Sequence, residues 1–262
     1  MRVLVVGATG SIGRHVITES LRAGHETRGL VRDLARAEQV LPEGVELVAG
    51  DGTDPSTLDP AVENVDAVVF THGSHGGPGE AERVDYGIVR NVLAAIGARP
   101  LRVALMTAIG VTVHDGAYNR SNRAHDWKRR VERLVRRSGH PYTVVRPSWF
   151  DYNEPGQRRM VFLQGDTRRS GSPEDGAIAR DQIARVLVAS LTSPAAERKT
   201  LELVAESGPA QEDLDPLFGE LKADPEGAYD GVLDPDTLPL ADEPAEVMAE
   251  IDATVHHRQS QE

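Results

Sequence analysis

The chain has 262 residues, a formal net charge of −12 at pH 7 and no cysteine. The negative charge argues against nucleic acid as the main partner, because phosphate backbones bind basic surfaces, and the absence of cysteine excludes disulfides, thiolate metal sites and a cysteine nucleophile. The sequence contains no 18-residue apolar run and no secretory signal pattern, so we expect a cytoplasmic protein without a membrane span, either a monomer or a homodimer.

The N-terminal segment predicts a strand, a glycine turn and a helix. An apolar β-branched run at 3–6 and a helical pattern from residue 12 flank the heptapeptide Gly7-Ala8-Thr9-Gly10-Ser11-Ile12-Gly13. Backbone N–H groups at such a helix start can hold a diphosphate, and the glycines permit the tight turn and the close approach of the ligand. We therefore predict a dinucleotide site made of Gly7, Thr9, Gly10, Ser11, Ile12 and Gly13.

Apolar runs alternate with helical patterns over most of the chain. The runs cover 2–6, 26–31, 46–49, 67–71, 102–107, 142–146 and 200–204, and helical segments follow Gly10, Gly79, Ser121 and Asp181. This alternation predicts an α/β fold with a Rossmann-like, doubly wound parallel sheet. We assign 1–208 to a dinucleotide-binding domain with a substrate loop at 149–177. Residues 209–262 form an acidic, partly helical C-terminal extension that packs on the domain or on a partner subunit.

The end of the second strand indicates which dinucleotide is bound. Arg32 follows the strand, and its guanidinium suits the 2′-phosphate of NADP(H), which we favour over NAD(H). Arg14, after the last glycine, is a second candidate for this phosphate. Asp33 is a competing signal for NAD(H), but we expect its side chain to point elsewhere.

The fourth strand ends in a polar segment that is expected to follow the ribose and phosphates, because ligands of open parallel sheets bind at the carboxyl ends of the strands. Thr71, His72 and Gly73 are the predicted contacts. His72 and His75 are also candidate proton donors, with an incidental role as the alternative. No third metal ligand has suitable spacing, so we predict no metal site.

A basic segment runs from Lys128-Arg129-Arg130 to Arg136-Arg137. At helical spacing, such a run usually forms a solvated helix face and only less often a nucleic-acid site, so we predict a solvated face.

The turn Gly-Ala-Thr-Gly-x-x-Gly resembles that of the short-chain dehydrogenase/reductase superfamily, in particular its atypical NAD(P)H-binding branch of NmrA-like and biliverdin/flavin-reductase-like proteins. The resemblance extends from residue 1 to about residue 205 through five motifs in the expected order. It implies that Asp51 and its neighbour Gly52 lie beside the adenine amino group. The alternative for Asp51 is an Asx turn, with Asp54 capping the helix that follows.

The same resemblance implies roles near the nicotinamide. Thr107 would contact substrate and cofactor, Lys128 would bind the ribose hydroxyls, and Pro147 and Ser148 would lie beside the carboxamide. Members of the superfamily with the usual Tyr-x-x-x-Lys motif have a catalytic tyrosine four residues before the lysine, but this chain has Ala124 there.

Because reduction of a carbonyl creates an alkoxide, a proton donor is required in place of that tyrosine. Tyr118 is our candidate catalytic residue, and His125 or ordered water are alternatives. The function that we predict is an NADP(H)-dependent oxidoreductase acting on a small organic substrate. The missing tyrosine favours a second hypothesis, a non-catalytic NADP(H)-binding redox-sensing regulator, whereas the loop after Trp149 favours an enzyme. A dehydratase or epimerase is a third option, for which the sequence offers no clear acid/base pair.

Overall fold

The computed structural model describes residues 1–259, with side chains through residue 254. Its main sheet has the strand order β3-β2-β1-β4-β5-β6-β10-β8 and is parallel except for β8, which runs antiparallel to β10. Strand β1 lies between β2 and β4, so the order reverses at β1 as in doubly wound folds. The predicted fold class is confirmed. The strands are β1 Arg2–Val6, β2 Glu26–Val31, β3 Glu46–Ala49, β4 Ala67–Phe70, β5 Arg102–Met106, β6 Tyr142–Pro147, β7 Trp149–Phe150, β8 Arg159–Leu163, β9 Ala177–Ile178 and β10 Lys199–Glu206.

Helices cover both faces of the sheet, and each face has its own apolar core. One core packs α1 and α7 on the sheet, and the other packs α4, α6 and part of α9. A π-helical segment, Ala81–Tyr86, leads directly into α4. Within residues 1–259, no helix is long and apolar enough to cross a membrane. The helices are α1 Gly13–Arg22, α2 Leu34–Val40, α3 Asp59–Val62, α4 Gly87–Ile96, α5 Ala117–Asn122, α6 Ala124–Arg137, α7 Arg180–Ser190, α8 Asp215–Glu220 and α9 Ala245–Gln259.

The segment predicted as a long polar loop, 149–177, has secondary structure of its own. Its apolar piece forms β8, which extends the main sheet beside β10, and β7 pairs with β9 in a separate two-stranded sheet. Trp149 on β7 is 36% exposed and stacks edge-on against Tyr152, with ring centroids 6.0 Å apart. The segment is therefore anchored at both ends, and an aromatic pair lies at its surface.

The prediction that 128–137 forms a solvated helix face is wrong for four of its five arginines. Arg129, Arg130, Arg133 and Arg136 on α6 are each at most 5% exposed. The C-terminal extension folds back over α6 and pairs with these guanidinium groups through Asp224, Asp230 and Glu243. Helical spacing predicts that these arginine side chains share one face of α6. It does not reveal that acidic residues about 90 to 110 positions later in the chain cover that face.

Candidate functional site

A cleft of about 360 Å³ opens at the carboxyl ends of the central strands, beside the start of α1. It collects most of the residues predicted to bind the dinucleotide. Those that line it are Gly7, Thr9, Gly10, Ser11, Arg32, Asp51, Gly52, Thr71, His72 and Gly73, and His75 joins them.

The glycine turn is shaped by close backbone contacts. Gly7 has a φ of +92°, and a Cβ there would lie 2.7 Å from the backbone nitrogen of His72. A Cβ on Gly13 would lie 2.0 Å from the carbonyl oxygen of Gly7, so only glycine lets α1 pack this tightly against β1. Ile12 and Gly13 are buried behind the turn and contribute backbone rather than side chains.

Backbone donors are available at this turn. Gly10 donates its N–H to the carbonyl of Gly7, but the N–H groups of Thr9, Ser11 and Ile12 have no acceptor in the described part of the chain. Free N–H groups at a helix start, together with the helix dipole, favour an anion. The residues present therefore fit the diphosphate of a dinucleotide.

Arg32 also lines the cleft, where it is exposed and has no hydrogen bond or ion pair with the described residues. Asp33 instead caps α2 by accepting the N–H of Arg36 at 3.0 Å, which confirms that its side chain points elsewhere. Arg14 is exposed on α1 and does not line the cleft. Arg32 is thus the better placed of the two predicted phosphate-binding arginines.

Asp51 forms an Asx turn and also faces the cleft. One oxygen, Oδ1, accepts both the N–H and the hydroxyl of Thr53 at 2.9 Å. Burial opposes ionisation, but these bonds and the nearby charges of Arg32 and Arg83 hold the pKa of Asp51 below its ordinary value. Asp54 caps the next short helix through Ser56, as predicted. Both interpretations of Asp51 therefore fit its geometry, and adenine contact stays a prediction.

Sequence reasoning missed Arg83 and Asp85 on the π-helical segment. Arg83 lines the cleft, and its nearest carboxylate is Glu80, at 3.9 Å. Asp85 is buried, and its carboxylate accepts a hydrogen bond from the Lys128 ammonium at 2.7 Å. It also accepts hydrogen bonds from the backbone N–H of Ser74 at 3.1 Å and from the Ser74 hydroxyl at 2.6 Å. No local motif marks either residue, because only the fold brings this helix against the end of β4.

Through Asp85, this network connects Lys128 to Ser74 in the loop that contains His72, but Lys128 does not line the cleft. His72 Nδ1 is buried and has no hydrogen-bond partner in the described structure, although the side chain as a whole is only half-buried. Burial lowers the pKa of His72 to about 4, so the ring is neutral at pH 7. A neutral His72 is a weak proton donor, and it suits hydrogen bonding better than acid catalysis.

Three predicted nicotinamide-end residues lie deeper in the fold than the cleft. The Thr107 hydroxyl donates to Glu132 at 2.7 Å within a buried bond network. Pro147 ends β6, and the Ser148 N–H donates to the carbonyl of Leu203 at 3.0 Å. The Ser148 hydroxyl is buried and meets no hydrogen-bond partner in the described structure. The roles predicted for these residues stay predictions.

The candidate proton donors form a pair near the end of β5. Tyr118, on α5, is 57% exposed, and its ring lies 4.9 Å from that of His125. Burial lowers the pKa of His125. Ala124 is 1% exposed, so the position of the missing tyrosine is inside the protein and is filled by a methyl group. Neither Tyr118 nor His125 lines the cleft.

Comparison with known proteins agrees with this geometry. The sequence model of a family described as NAD(P)H-binding matches residues 7–194. Sanguinarine reductase from Eschscholzia californica is 26% identical in an alignment of 265 positions that covers 84% of this chain and 96% of that protein. The uncharacterized sugar epimerase YhfK of Bacillus subtilis is 28% identical over 232 residues, spanning 83% of this chain and all of that protein.

Solved structures share the fold. An anaerobilin reductase from Escherichia coli O157:H7 matches with a TM-score of 0.61 at 19% identity, over 78% of this chain and 97% of that chain. A short-chain dehydrogenase/reductase from Veillonella parvula, determined in complex with NADP, matches with a TM-score of 0.55 at 17% identity, over 78% of this chain and 94% of that chain.

Proposed function

This chain belongs to the NAD(P)H-binding family of atypical short-chain dehydrogenases/reductases, and we propose that it is an NADP(H)-dependent oxidoreductase acting on a small organic substrate. The observation that carries the proposal is the set of unpaired backbone N–H groups at Thr9, Ser11 and Ile12, beside a cleft that the unpaired Arg32 also lines. Two anion-binding features on one cleft suit a dinucleotide with an extra phosphate.

Each residue would then have a defined task. The bound nicotinamide would supply or accept the hydride. The turn at the start of α1 would hold the diphosphate, and Arg32 the 2′-phosphate. Lys128, held by Asp85 next to the loop after β4, would donate to ribose hydroxyls at the nicotinamide end.

Proton delivery is assigned to Tyr118 together with His125. The two rings are in contact, and the segment that carries them follows β5, which ends at the same edge of the sheet as β4. Tyr118 would give its hydroxyl proton to the alkoxide and, being 57% exposed, would be reprotonated from solvent, while His125 would hold the phenol ring in place. Tyr118→Phe would then lower turnover by about 10²-fold or more, with Km for NADPH unchanged. Undiminished turnover would remove Tyr118 from the mechanism.

A specific observation also favours the regulator hypothesis. The methyl group of Ala124 fills the usual tyrosine position, and the Thr107 hydroxyl is committed to Glu132. A protein that only senses the cofactor needs neither group at the cleft. NADPH absorbance with a panel of quinones, flavins and activated carbonyls discriminates the two. No oxidation by a protein that still binds NADPH tightly would favour the regulator.

The cofactor preference is tested by thermal shift and direct binding. A ligand at a hundred times its Kd stabilises the native state by about 2.7 kcal/mol. We expect NADPH to bind more tightly than NADH. The Arg32→Ala variant should weaken the binding of NADPH by about 10- to 100-fold and leave the affinity for NADH unchanged, because a hydrogen bond to a charged group contributes about 1.5–3 kcal/mol. Arg14→Ala is the matched control outside the cleft. Equal losses for both cofactors would contradict the role of Arg32.

A further inference from the structure

A second cavity of about 340 Å³, here called the outer cavity, adjoins the cleft and lies between the π-helical segment, α4, α6 and α9. Thr53 and Arg83 line both this outer cavity and the cleft. One wall comes from α9, through Glu246, Val247 and Glu250, and so lies beyond residue 194, where the family match ends. Its size is at the lower end of the range of small-molecule sites.

Two aromatic rings form the inner wall of the outer cavity. Tyr86 and Trp127 lie with their ring centroids 5.4 Å apart. The other partner of Trp127 is the guanidinium of Arg130, 4.5 Å from the ring centre, so this indole already attracts a cation. Aromatic faces of this kind suit the apolar body and the positive charge of an organic cation.

The Tyr86 hydroxyl is an unsatisfied polar group at this wall. Tyr86 is 2% exposed, and its hydroxyl makes no hydrogen bond of standard geometry with the described residues, although the carboxylate of Glu250 lies close to it. Burial and the nearby carboxylate of Glu250 raise the pKa of the phenol, so it stays neutral. Because buried hydroxyls nearly always have a partner, a ligand with a polar head is expected to provide one.

The charged side chains around the outer cavity leave an excess of carboxylate. The guanidinium of Arg90 is paired with Glu250 at 2.8 Å, and Arg83 has Glu80 at 3.9 Å. Glu82 and Glu246, in contrast, are exposed and have no partner among the described side chains. Unpaired carboxylates beside aromatic rings attract a cation rather than an anion.

We propose that the outer cavity binds a small organic ammonium ion. The ammonium lies between Glu82 and Glu246 and hydrogen-bonds to the Tyr86 hydroxyl oxygen, while the apolar body packs on Tyr86 and Trp127. This goes beyond the proposed redox function and requires no dinucleotide.

The test uses the full chain without nucleotide, titrated with benzylammonium at neutral pH. The chain has two tryptophans, Trp127 in the outer cavity and Trp149 outside it, so the indole ¹H–¹⁵N spectrum has an internal control. Trp149→Phe assigns the two signals. We expect the Trp127 signal to move saturably, the Trp149 signal to stay in place, and benzyl alcohol, a neutral probe of the same shape, to cause no saturable change.

Two variants test the contacts. The Tyr86→Phe variant should bind benzylammonium about fivefold more weakly, because it lacks the hydroxyl that accepts from the ammonium. It should remain folded, because that hydroxyl makes no intramolecular hydrogen bond of standard geometry. Glu246→Gln, at an exposed position, should weaken it about two- to fivefold. The proposal is overturned if Trp127 shows no saturable shift up to about 10 mM, if both indole signals move alike, if benzyl alcohol binds equally well, or if neither variant changes the affinity.

Discussion

Replacing Glu243 with glutamine should destabilise the protein strongly, although the residue lies in the C-terminal extension. Its two carboxylate oxygens accept from Arg130 at 2.7 Å and Arg133 at 2.6 Å, and the side chains of Glu243, Arg133 and Arg130 are 0%, 0% and 7% exposed. Glutamine leaves two buried guanidinium groups without that carboxylate and turns an NH₂ group toward one of them. Removing one partner of a buried ion pair costs about 3–5 kcal/mol.

The measurement is urea denaturation followed by circular dichroism at pH 7, with Glu246→Gln as the control. Glu246 is exposed in the same extension and has no partner among the described side chains, so its replacement should change the free energy of unfolding by less than about 0.5 kcal/mol. For a chain of this size, the loss at Glu243 corresponds to a fall in Tm of roughly 10 °C. If both variants unfold like the parent protein, the arginines of α6 are not buried under the extension.

Three further changes test other parts of the fold by the same denaturation method. Burial raises the pKa of Glu202 to about 7, so the protonated Glu202 side chain contributes its full stability below about pH 4.5, and this contribution is lost as the pH rises through 7. Relative to the parent protein, the Glu202→Gln variant should therefore gain about 3 kcal/mol in its free energy of unfolding between pH 4.5 and pH 8. A difference between the two proteins that does not change with pH would contradict this. Gly13→Ala should cost at least about 1–3 kcal/mol because its methyl group would meet a backbone carbonyl at 2.0 Å, whereas Gly219→Ala, with open space around it, should be neutral or stabilising. Thr107→Val should lower the free energy of unfolding by about 1.5–3 kcal/mol, because it removes the hydroxyl that donates to Glu132. Thr107→Ser keeps a hydroxyl and should restore this stability. Equal losses in both variants would argue against the hydrogen bond.

The dinucleotide cleft was predictable because its signals are local. The spacing of Gly7, Gly10 and Gly13 between an apolar run and a helix defines the turn within seven residues, and the structure places Gly7 and Gly10 at the cleft and Gly13 under α1. The capping roles of Asp33 and Asp54 are equally local, since each carboxylate accepts from an N–H two or three residues later. Alternating apolar runs were sufficient to predict seven of the eight strands of the main sheet, but not the antiparallel β8.

The features of the site that the sequence did not predict depend on contacts between residues that are distant in sequence. Lys128 matched a family position, but its partner Asp85 lies 43 residues earlier, on a π-helical segment that has no recognisable motif. Arg83 reaches the cleft for the same reason and could not be found from spacing. Thr107 shows the converse: the family resemblance implies contact with substrate and cofactor, whereas in the structure the Thr107 hydroxyl donates to Glu132 on α6.

The distribution of charge explains how an acidic chain can still suit an anionic cofactor. Residues 209–262 contain fifteen acidic and two basic residues, a net charge of −13, so the whole net charge of −12 belongs to the extension and residues 1–208 carry a net charge of +1. Part of that charge is neutralised inside the protein, where Asp224, Asp230 and Glu243 face the arginines of α6. Fields are screened within about 8 Å at physiological salt, so an incoming phosphate responds mainly to the groups at the cleft. Those groups are the free N–H donors of the glycine turn and the guanidinium groups of Arg32 and Arg83, which offset the carboxylates of Asp51 and Glu80 at the same cleft.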